Sequence, residues 1–351
     1  MKKQILFISD TEHSALSISA RCRSELINAE VLYVDNFYSV NQLFDAIIEK
    51  NPLTLLFVWR QSLVDLLNSV TNKRRALLTE GRALVVLIPD HLGLDNPVPT
   101  QEYALLNYVD SYYVTSKILY EAYDSIPLIQ KPFGILHDLP NIDLIRKIRV
   151  KIVEGDLNQI VWVGNSQWGS KHGYQDHKGY KSVIKPLEDI LKNHDHCFKL
   201  KVIDSARKKI SNEEVLRQIR ESRFLLLTSK SEGTGLPLLE SLGLGVTPLS
   251  TKVGIAPELL DSHAQLIQAL TPDGIHEFLH KDNAKFALSR DEAIELFEKF
   301  IDTISQEKLQ FESVSPRKVR DWDRNGGLAR NFTRLLYVYR FLKFKASRKG
   351  A

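Results

Sequence analysis

Apolar and polar positions alternate along the chain in two rhythms. Short bulky runs at residues 4–9, 30–34, 54–59, 83–88 and 112–115 read as buried strands. Between them, residues 14–27, 40–50 and 62–79 place apolar side chains at helical spacing. The pattern restarts at residue 159: strand 159–163, helix 181–192, strand 199–203, helix 212–221 and strand 223–228. Helices are predicted over 272–280, 290–305 and 328–344. Strand and helix in regular alternation predict an α/β fold, with parallel sheets covered by helices on both faces. At 351 residues the chain exceeds one ordinary domain, and the polar stretch near 154–158 is the candidate connection. The reading is a first domain over 1–150 and a second over 151–317.

The second half is organised around Ser229-Lys-Ser-Glu232-Gly-Thr-Gly-Leu-Pro-Leu-Leu-Glu240. This stretch leaves an apolar strand and enters a helix in which Pro237 suits the first turn. The turn contains Gly233 and Gly235, which let backbone N–H groups approach an anion at the helix's positive end. Two carboxylates bracket it, Glu232 and Glu240. A bare phosphate has no use for two acids; a phosphate flanked by sugars does, because carboxylates accept strong hydrogen bonds from hydroxyls.

Glu-x7-Glu around Gly-x-Gly-Leu-Pro resembles the signature of family-4 retaining glycosyltransferases of the GT-B fold. The likeness continues through 245–258, ending at Glu258, and upstream at Ile160-Val-Trp-Val-Gly164 and Lys178-Gly179. It implies two Rossmann-like doubly wound domains facing across a cleft. The first is the acceptor side and the second binds the nucleotide sugar. A last helix, about 318–345, is expected to return to the first domain, with Trp322 and Phe332 as packing points. The implied activity is transfer of a sugar from a nucleotide diphosphate to a glycan or lipid-linked glycan, as in bacterial surface polysaccharide or lipopolysaccharide assembly. Two other readings stay open: a sugar-nucleotide-binding partner with weak or lost catalysis, and an epimerase or phosphorylase on the same scaffold.

Residue by residue, the resemblance implies that Lys178 contacts the diphosphate, Glu240 the ribose and Glu232 the transferred sugar. Gly164, Asn165, Gly233, Thr234, Gly235 and Leu236 line the donor site. The family's arginine after the strand-ending glycine is replaced by Asn165-Ser166, and Lys171 is the candidate substitute. Thr234 stands where an aromatic residue is common. Asp204 to Arg207 lie where the base is read. In the first domain His91, following Asp90, is the candidate catalytic histidine beside the donor sugar, and His13 a weaker acceptor contact. Negative charge grows on the leaving phosphate, so cations and helix N–H groups aimed there lower the barrier. Both acids are assigned to binding, which leaves no carboxylate pair placed as in a retaining glycosidase. The family's front-face attack, with the leaving phosphate taking the acceptor's proton, follows from the resemblance. No metal and no cofactor beyond the donor are expected.

Composition narrows this further. A net charge of +4 suits an anionic ligand and is too small to indicate nucleic acid. Cys22 and Cys197 lack metal-ligand spacing and read as free thiols. Residues 5–8 are too short for a signal-peptide core, and no apolar run reaches membrane-spanning length, so a cytoplasmic protein is expected. The basic end, Arg340 to Lys349, is a candidate peripheral contact with anionic lipid at the inner face of the membrane. No Gly-x-Gly-x-x-Gly follows the first strand, which argues against a nicotinamide dehydrogenase.

Overall fold

The computed structural model describes residues 5–12, 14–91, 94, 105–126, 129–150, 158–193, 197–267, 270–280 and 287–306. The expected helix over 328–344, the basic end, Trp322, Phe332 and His13 lie outside them. The described chain divides into two compact units, one up to His137 and one spanning Asp138–Gln306.

The first unit runs β1 (Ile5–Ser9), α1 (Ala15–Ile27), β2 (Glu30–Tyr33), α2 (Val40–Lys50), β3 (Thr54–Phe57), α3 (Arg60–Ser69), α4 (Asn72–Thr79), β4 (Ala83–Ile88), β5 (Ser111–Val114), α5 (Lys117–Asp124) and β6 (Gly134–Ile135). Its strands are parallel in the order β2-β1-β3-β4-β5-β6. Along them, successive side chains go to opposite faces and both faces are buried. Leu6, Ile8, Leu55, Phe57, Leu84 and Val86 fill one core; Phe7, Leu56, Val58, Val85, Leu87 and Tyr113 fill the other. Hydroxyls start the helices: Ser14, Ser39, Thr71 and Ser116 each accept a first-turn N–H. Thr71 also explains one departure from the pattern. A single helix over 62–79 is expected, but Val70 is extended and Thr71 caps a new helix, so two form.

The second unit runs α6 (Ile142–Val150), β7 (Gln159–Gly164), α7 (Lys185–Asn193), β8 (Lys199–Asp204), α8 (Asn212–Arg220), β9 (Phe224–Leu227), α9 (Leu236–Gly243), β10 (Thr247–Ser250), α10 (Ala256–Leu260), α11 (Pro272–His280) and α12 (Arg290–Gln306). The sheet is parallel in the order β10-β9-β7-β8. Pro248, which cannot donate to a ladder, is tolerated because β10 is an edge strand. The chain goes from β7 to β8 on one side and then returns to β9 on the other, so a switch point lies between β7 and β9. Ligands of such sheets bind outside the carboxyl ends of the strands there. The division at His137/Asp138 differs from the sequence expectation of 150/151. α6 packs against α8 and α9, with Ile142, Ile145 and Ile148 buried, and so is a helix of the second unit. α5, β6 and α6 were not singled out in the hydrophobic pattern. Among the described residues, no helix is long and apolar enough to cross a membrane.

Candidate functional site

The loop after β9 is stitched to its neighbours on both sides. On one side lies the segment before α7. Lys230 N–H donates to the His177 carbonyl at 2.9 Å, and its Nζ to the Gln175 carbonyl at 2.9 Å. His177 Nε2 lies 2.8 Å from the Ser231 carbonyl. Thr228 Oγ1 donates to the Lys178 carbonyl at 2.7 Å and accepts from Trp162 Nε1 at 3.1 Å. Gly179 permits this approach: its φ is +70°, and a Cβ there would sit 2.5 Å from the Thr228 carbonyl oxygen. Beyond Gly179, residues 180–184 form one widened turn that leads into α7, where Pro186 has no N–H to give. On the other side Thr251 Oγ1 donates to the Ser229 carbonyl at 2.6 Å, and Ile255 N–H to the Thr234 carbonyl at 3.1 Å.

This framework brings Lys178 and Glu232 together. Their side chains form an ion pair and are mostly buried. Ser229 Oγ donates to the same carboxylate oxygen at 2.5 Å. Burial works against ionisation of Glu232, but the charge and hydrogen bond of Lys178 and the Ser229 hydroxyl outweigh it and hold the carboxyl below its ordinary range. Lys178 Nζ also lies 5.3 Å from the centre of the Trp168 ring, which stacks on His177 at 4.4 Å. The lysine is therefore fixed between an acid and an aromatic face.

Gly235, at φ +87°, turns the chain into α9, and no side chain caps the helix. Glu240 follows in the second turn, 7% exposed, with Asn212 Nδ2 donating to it at 3.2 Å. Among the described residues no cation pairs with it. Burial pushes its pKa up to about 7, and the Asn212 bond opposes this only in part. The amide oxygen of Asn212 is itself buried without a partner among the described residues.

The other expected site residues fall as follows. Gly164 ends β7, and its carbonyl accepts from Ser205 N–H at 2.9 Å. Asn165 turns its amide oxygen onto Gln167 N–H at 2.9 Å, closing its own turn. Lys171 is exposed on a short helical turn and makes no hydrogen bond or ion pair among the described residues. Gly233 and Gly235 are buried in the loop and Leu236 opens α9. Thr234 is 2% exposed; its hydroxyl donates to the Asp138 carboxylate at 3.0 Å and accepts from Asp138 N–H at 3.1 Å. It thus ties the loop to the start of the unit. Asp204 accepts N–H bonds from Ser166 and Ala206, both 3.0 Å, and lies 3.3 Å from Arg207 Nε. Burial resists its ionisation, but these donors hold it below the ordinary range. Arg207 stacks over Tyr180 and donates to its hydroxyl at 2.6 Å. In the first unit, His91 follows β4, and neighbouring Asp90 accepts from the buried Arg60 at 3.1 Å. Asn212 and His177 were missed from sequence, and of these only His177, directly before Lys178, carried a local signal; Ser229 lies in the motif itself, where no role was assigned to it. Among the described residues no group of three or more His, Cys, Asp or Glu is placed to hold a metal ion.

No family model matches the chain. Over 103 residues it is 31% identical to putative glycosyltransferase 41 of Sulfolobus islandicus filamentous virus (isolate Iceland/Hveragerdi). That stretch is 26% of this chain and spans 31% of the viral protein's length. Among solved structures the chain is similar to HepE of Anabaena in complex with UDP, at 14% identity and TM-score 0.56, covering 88% of this chain and 99% of that one. It is also similar to sucrose-phosphate synthase from Thermosynechococcus elongatus, at 11% identity and TM-score 0.61, covering 88% and 98%. A third is an alpha,alpha-trehalose-phosphate synthase (UDP-forming) from Burkholderia vietnamiensis, at 9% identity and TM-score 0.63, covering 88% and 99%. The two parallel sheets with their helices are those of the GT-B glycosyltransferase fold.

Proposed function

We propose that this chain is a retaining glycosyltransferase of the family-4 type, transferring a sugar from a UDP-sugar to a glycan or lipid-linked glycan. One observation carries the reading. Glu232 and Glu240 flank a glycine-lined helix start at the sheet's switch point, with Lys178 held against the first acid. Uridine is the base named because the HepE structure contains UDP and one trehalose-phosphate synthase neighbour is UDP-forming. The diphosphate sits at the start of α9, whose N–H groups and dipole meet its charge. Lys178 turns from Glu232 to the phosphates as the donor enters, freeing Glu232 to accept hydroxyls of the sugar. Glu240 and Asn212 hold the ribose.

In the transfer the acceptor hydroxyl attacks the anomeric carbon from the face the leaving group vacates. The new carbon–oxygen bond forms as the bond to the phosphate breaks, and the acceptor's proton passes to the departing phosphate oxygen. Lys178 and the α9 N-terminus stabilise the charge developing there, without a metal. His91 is assigned to the donor sugar on the resemblance alone; His91→Ala is expected to lower turnover with UDP binding unchanged. Surface polysaccharide assembly in the cytoplasm, with lipid contact through the basic end, belongs to the same proposal.

A second reading, binding without transfer, is favoured by Asn165 closing on itself where the family has a cation. Incubating the protein with UDP-sugars separates the two. Release of UDP, with or without transfer, supports the enzyme. Stabilisation by UDP that is lost in Glu240→Ala, with no turnover of any donor, supports the binding protein. No response to any nucleoside diphosphate overturns both.

A further inference from the structure

α11 (Pro272–His280) is fixed to the second unit by one side of its surface. Ile275 and Leu279 are buried, and the helix packs along α7. The Phe278 ring stands edge-to-face with Phe224 of β9, 5.9 Å between centres. His276 and His280 lie one helical turn apart and so share a face of this anchored helix. His276 is half-buried and His280 exposed. Their Nε2 atoms lie 3.0 Å apart, with the ring planes at 81° and the ring centres 4.4 Å apart. One of the two nitrogens donates to the other there, so a single hydrogen fills the space between them.

Two imidazole nitrogens held together on a rigid element are what a transition-metal ion asks of a protein. Metal–imidazole bonds run about 2.0–2.1 Å, so nitrogens 3.0 Å apart meet a shared ion at roughly 90–95°. A tetrahedral site opens that angle to about 109° and needs the nitrogens about 3.3–3.4 Å apart. Right-angled coordination by nitrogen and oxygen is the preference of Cu(II) and Ni(II). The charge around the pair points the same way. His280 closes α11, so the last carbonyls and the negative end of the helix dipole favour a cation there. Asp273 and Glu277 each precede one of the histidines by three residues and add negative charge to the same stretch. Among the described residues no third His, Cys, Asp or Glu completes a ligand set, so water fills the remaining positions of such an ion.

We propose that His276 and His280 form a two-histidine site for a divalent transition-metal ion of right-angled coordination, nickel or copper. On binding, the hydrogen between the nitrogens moves to Nδ1 of its own ring, and each Nε2 gives its lone pair to the ion. The ion then bridges two successive turns at the end of α11. It takes no part in the sugar transfer proposed above and does not depend on that reading.

The test is titration calorimetry of the whole chain, prepared without a histidine tag, with nickel chloride. Nickel is used because copper oxidises thiols, and Cys22 and Cys197 are free. One ion per chain is expected, with a thermal midpoint that rises as nickel is added. His276→Gln and His280→Gln are each expected to weaken binding by at least about tenfold, since even the partner of a metal ligand is worth that much. His280→Gln, at an exposed position, is expected to keep the parent's midpoint in the absence of metal. Cys197→Ser is expected to bind nickel as the parent does, and zinc is expected to bind the parent more weakly than nickel. A parent whose Kd for nickel exceeds about 1 mM, or a His280→Gln variant that binds as tightly as the parent, overturns the proposal. Zinc binding as tight as nickel binding overturns the right-angled assignment. If His276→Gln does not fold, His280→Gln alone decides.

Discussion

Glu232 and Glu240 stand at the two ends of one helix start, both largely withdrawn from water, and their surroundings treat them oppositely. Glu232 has a lysine and a hydroxyl against its carboxylate and is held ionised. Glu240 has, among the described residues, only the Asn212 amide, and burial lifts its pKa to about 7. Burial alone therefore does not decide a carboxyl's charge; the neighbours do. The difference has a functional side under the proposed reading. At the Glu232 end a cation is stored beside the acid until a phosphate competes for it. At the Glu240 end the acid is close to half-neutral at physiological pH, and ribose hydroxyls donate best to its ionised form.

The largest way to break the comparison is Lys178→Met. It leaves the buried Glu232 without its lysine, at a cost of about 3–5 kcal/mol near neutral pH. Glu232's folded pKa is lowered, so the stability it confers is present above the ordinary glutamate value and is lost as pH falls through the lowered one. The gap between parent and variant, measured by urea unfolding, is therefore expected to narrow in acid. A constant gap from pH 7 down to pH 3 would show that the ion pair is not its source.

Glu240→Gln is the converse. A raised acid pKa costs nothing below the ordinary value of 4.5, where the group is protonated folded or unfolded. The cost grows as pH rises and is complete above about 7. Over that interval the penalty amounts to roughly 3 kcal/mol. The variant is expected to match the parent at pH 4.5 and exceed it at pH 8, while losing any stabilisation by UDP. In the parent, UDP affinity is expected to weaken below pH 7, by at most about tenfold per pH unit. Equal urea midpoints for parent and variant at both pH values would remove the buried, uncompensated acid from the account.

What was legible in the sequence follows the same divide. Strands buried on both faces announce themselves as apolar runs, and residues 83–88 were bounded correctly from that alone. The Glu232 to Glu240 motif is local, so its strand, turn and helix were readable together. α5 and α6 were not, because both are short and α6 is defined by packing on α8 and α9. The partners of the two acids were out of reach for a related reason. Lys178 is far from Glu232 in the chain, and it was proposed for phosphate from the Lys-Gly pair; its contact with the acid depends on Gly179 fitting under Thr228. Asn212 looks like an ordinary helix-start residue, and nothing local tells that its amide faces Glu240.

Gly179→Ala probes that fit directly. The left-handed conformation costs a side chain roughly 1–2 kcal/mol, and contact with the Thr228 carbonyl adds to it. A loss of about 2 kcal/mol in unfolding free energy is expected. The variant is also expected to loosen the Lys178–Glu232 pair, since both lie on segments that Thr228 joins. A loss under about 0.5 kcal/mol, the range of neutral surface changes, would mean that the 175–179 segment moves freely aside.

The smallest effect sharpens the comparison most. Asn212→Ala removes the hydrogen bond that Glu240 receives from the Asn212 amide, which by itself costs about 1 kcal/mol. It also removes an amide oxygen buried without a donor, which relieves a penalty of similar size. The two nearly cancel, so the net change in stability at pH 5 is expected to stay within about 1 kcal/mol. The change in Glu240 does not cancel. With no donor left, its pKa is expected to move further above 7, and the decline of stability with rising pH is expected to extend to higher pH. Urea unfolding of the variant at pH 7 and pH 9 reads this directly. If the decline ends at the same pH as in the parent, the amide has no influence on Glu240's proton, and the contrast between the two acids rests on the lysine and hydroxyl at Glu232 alone.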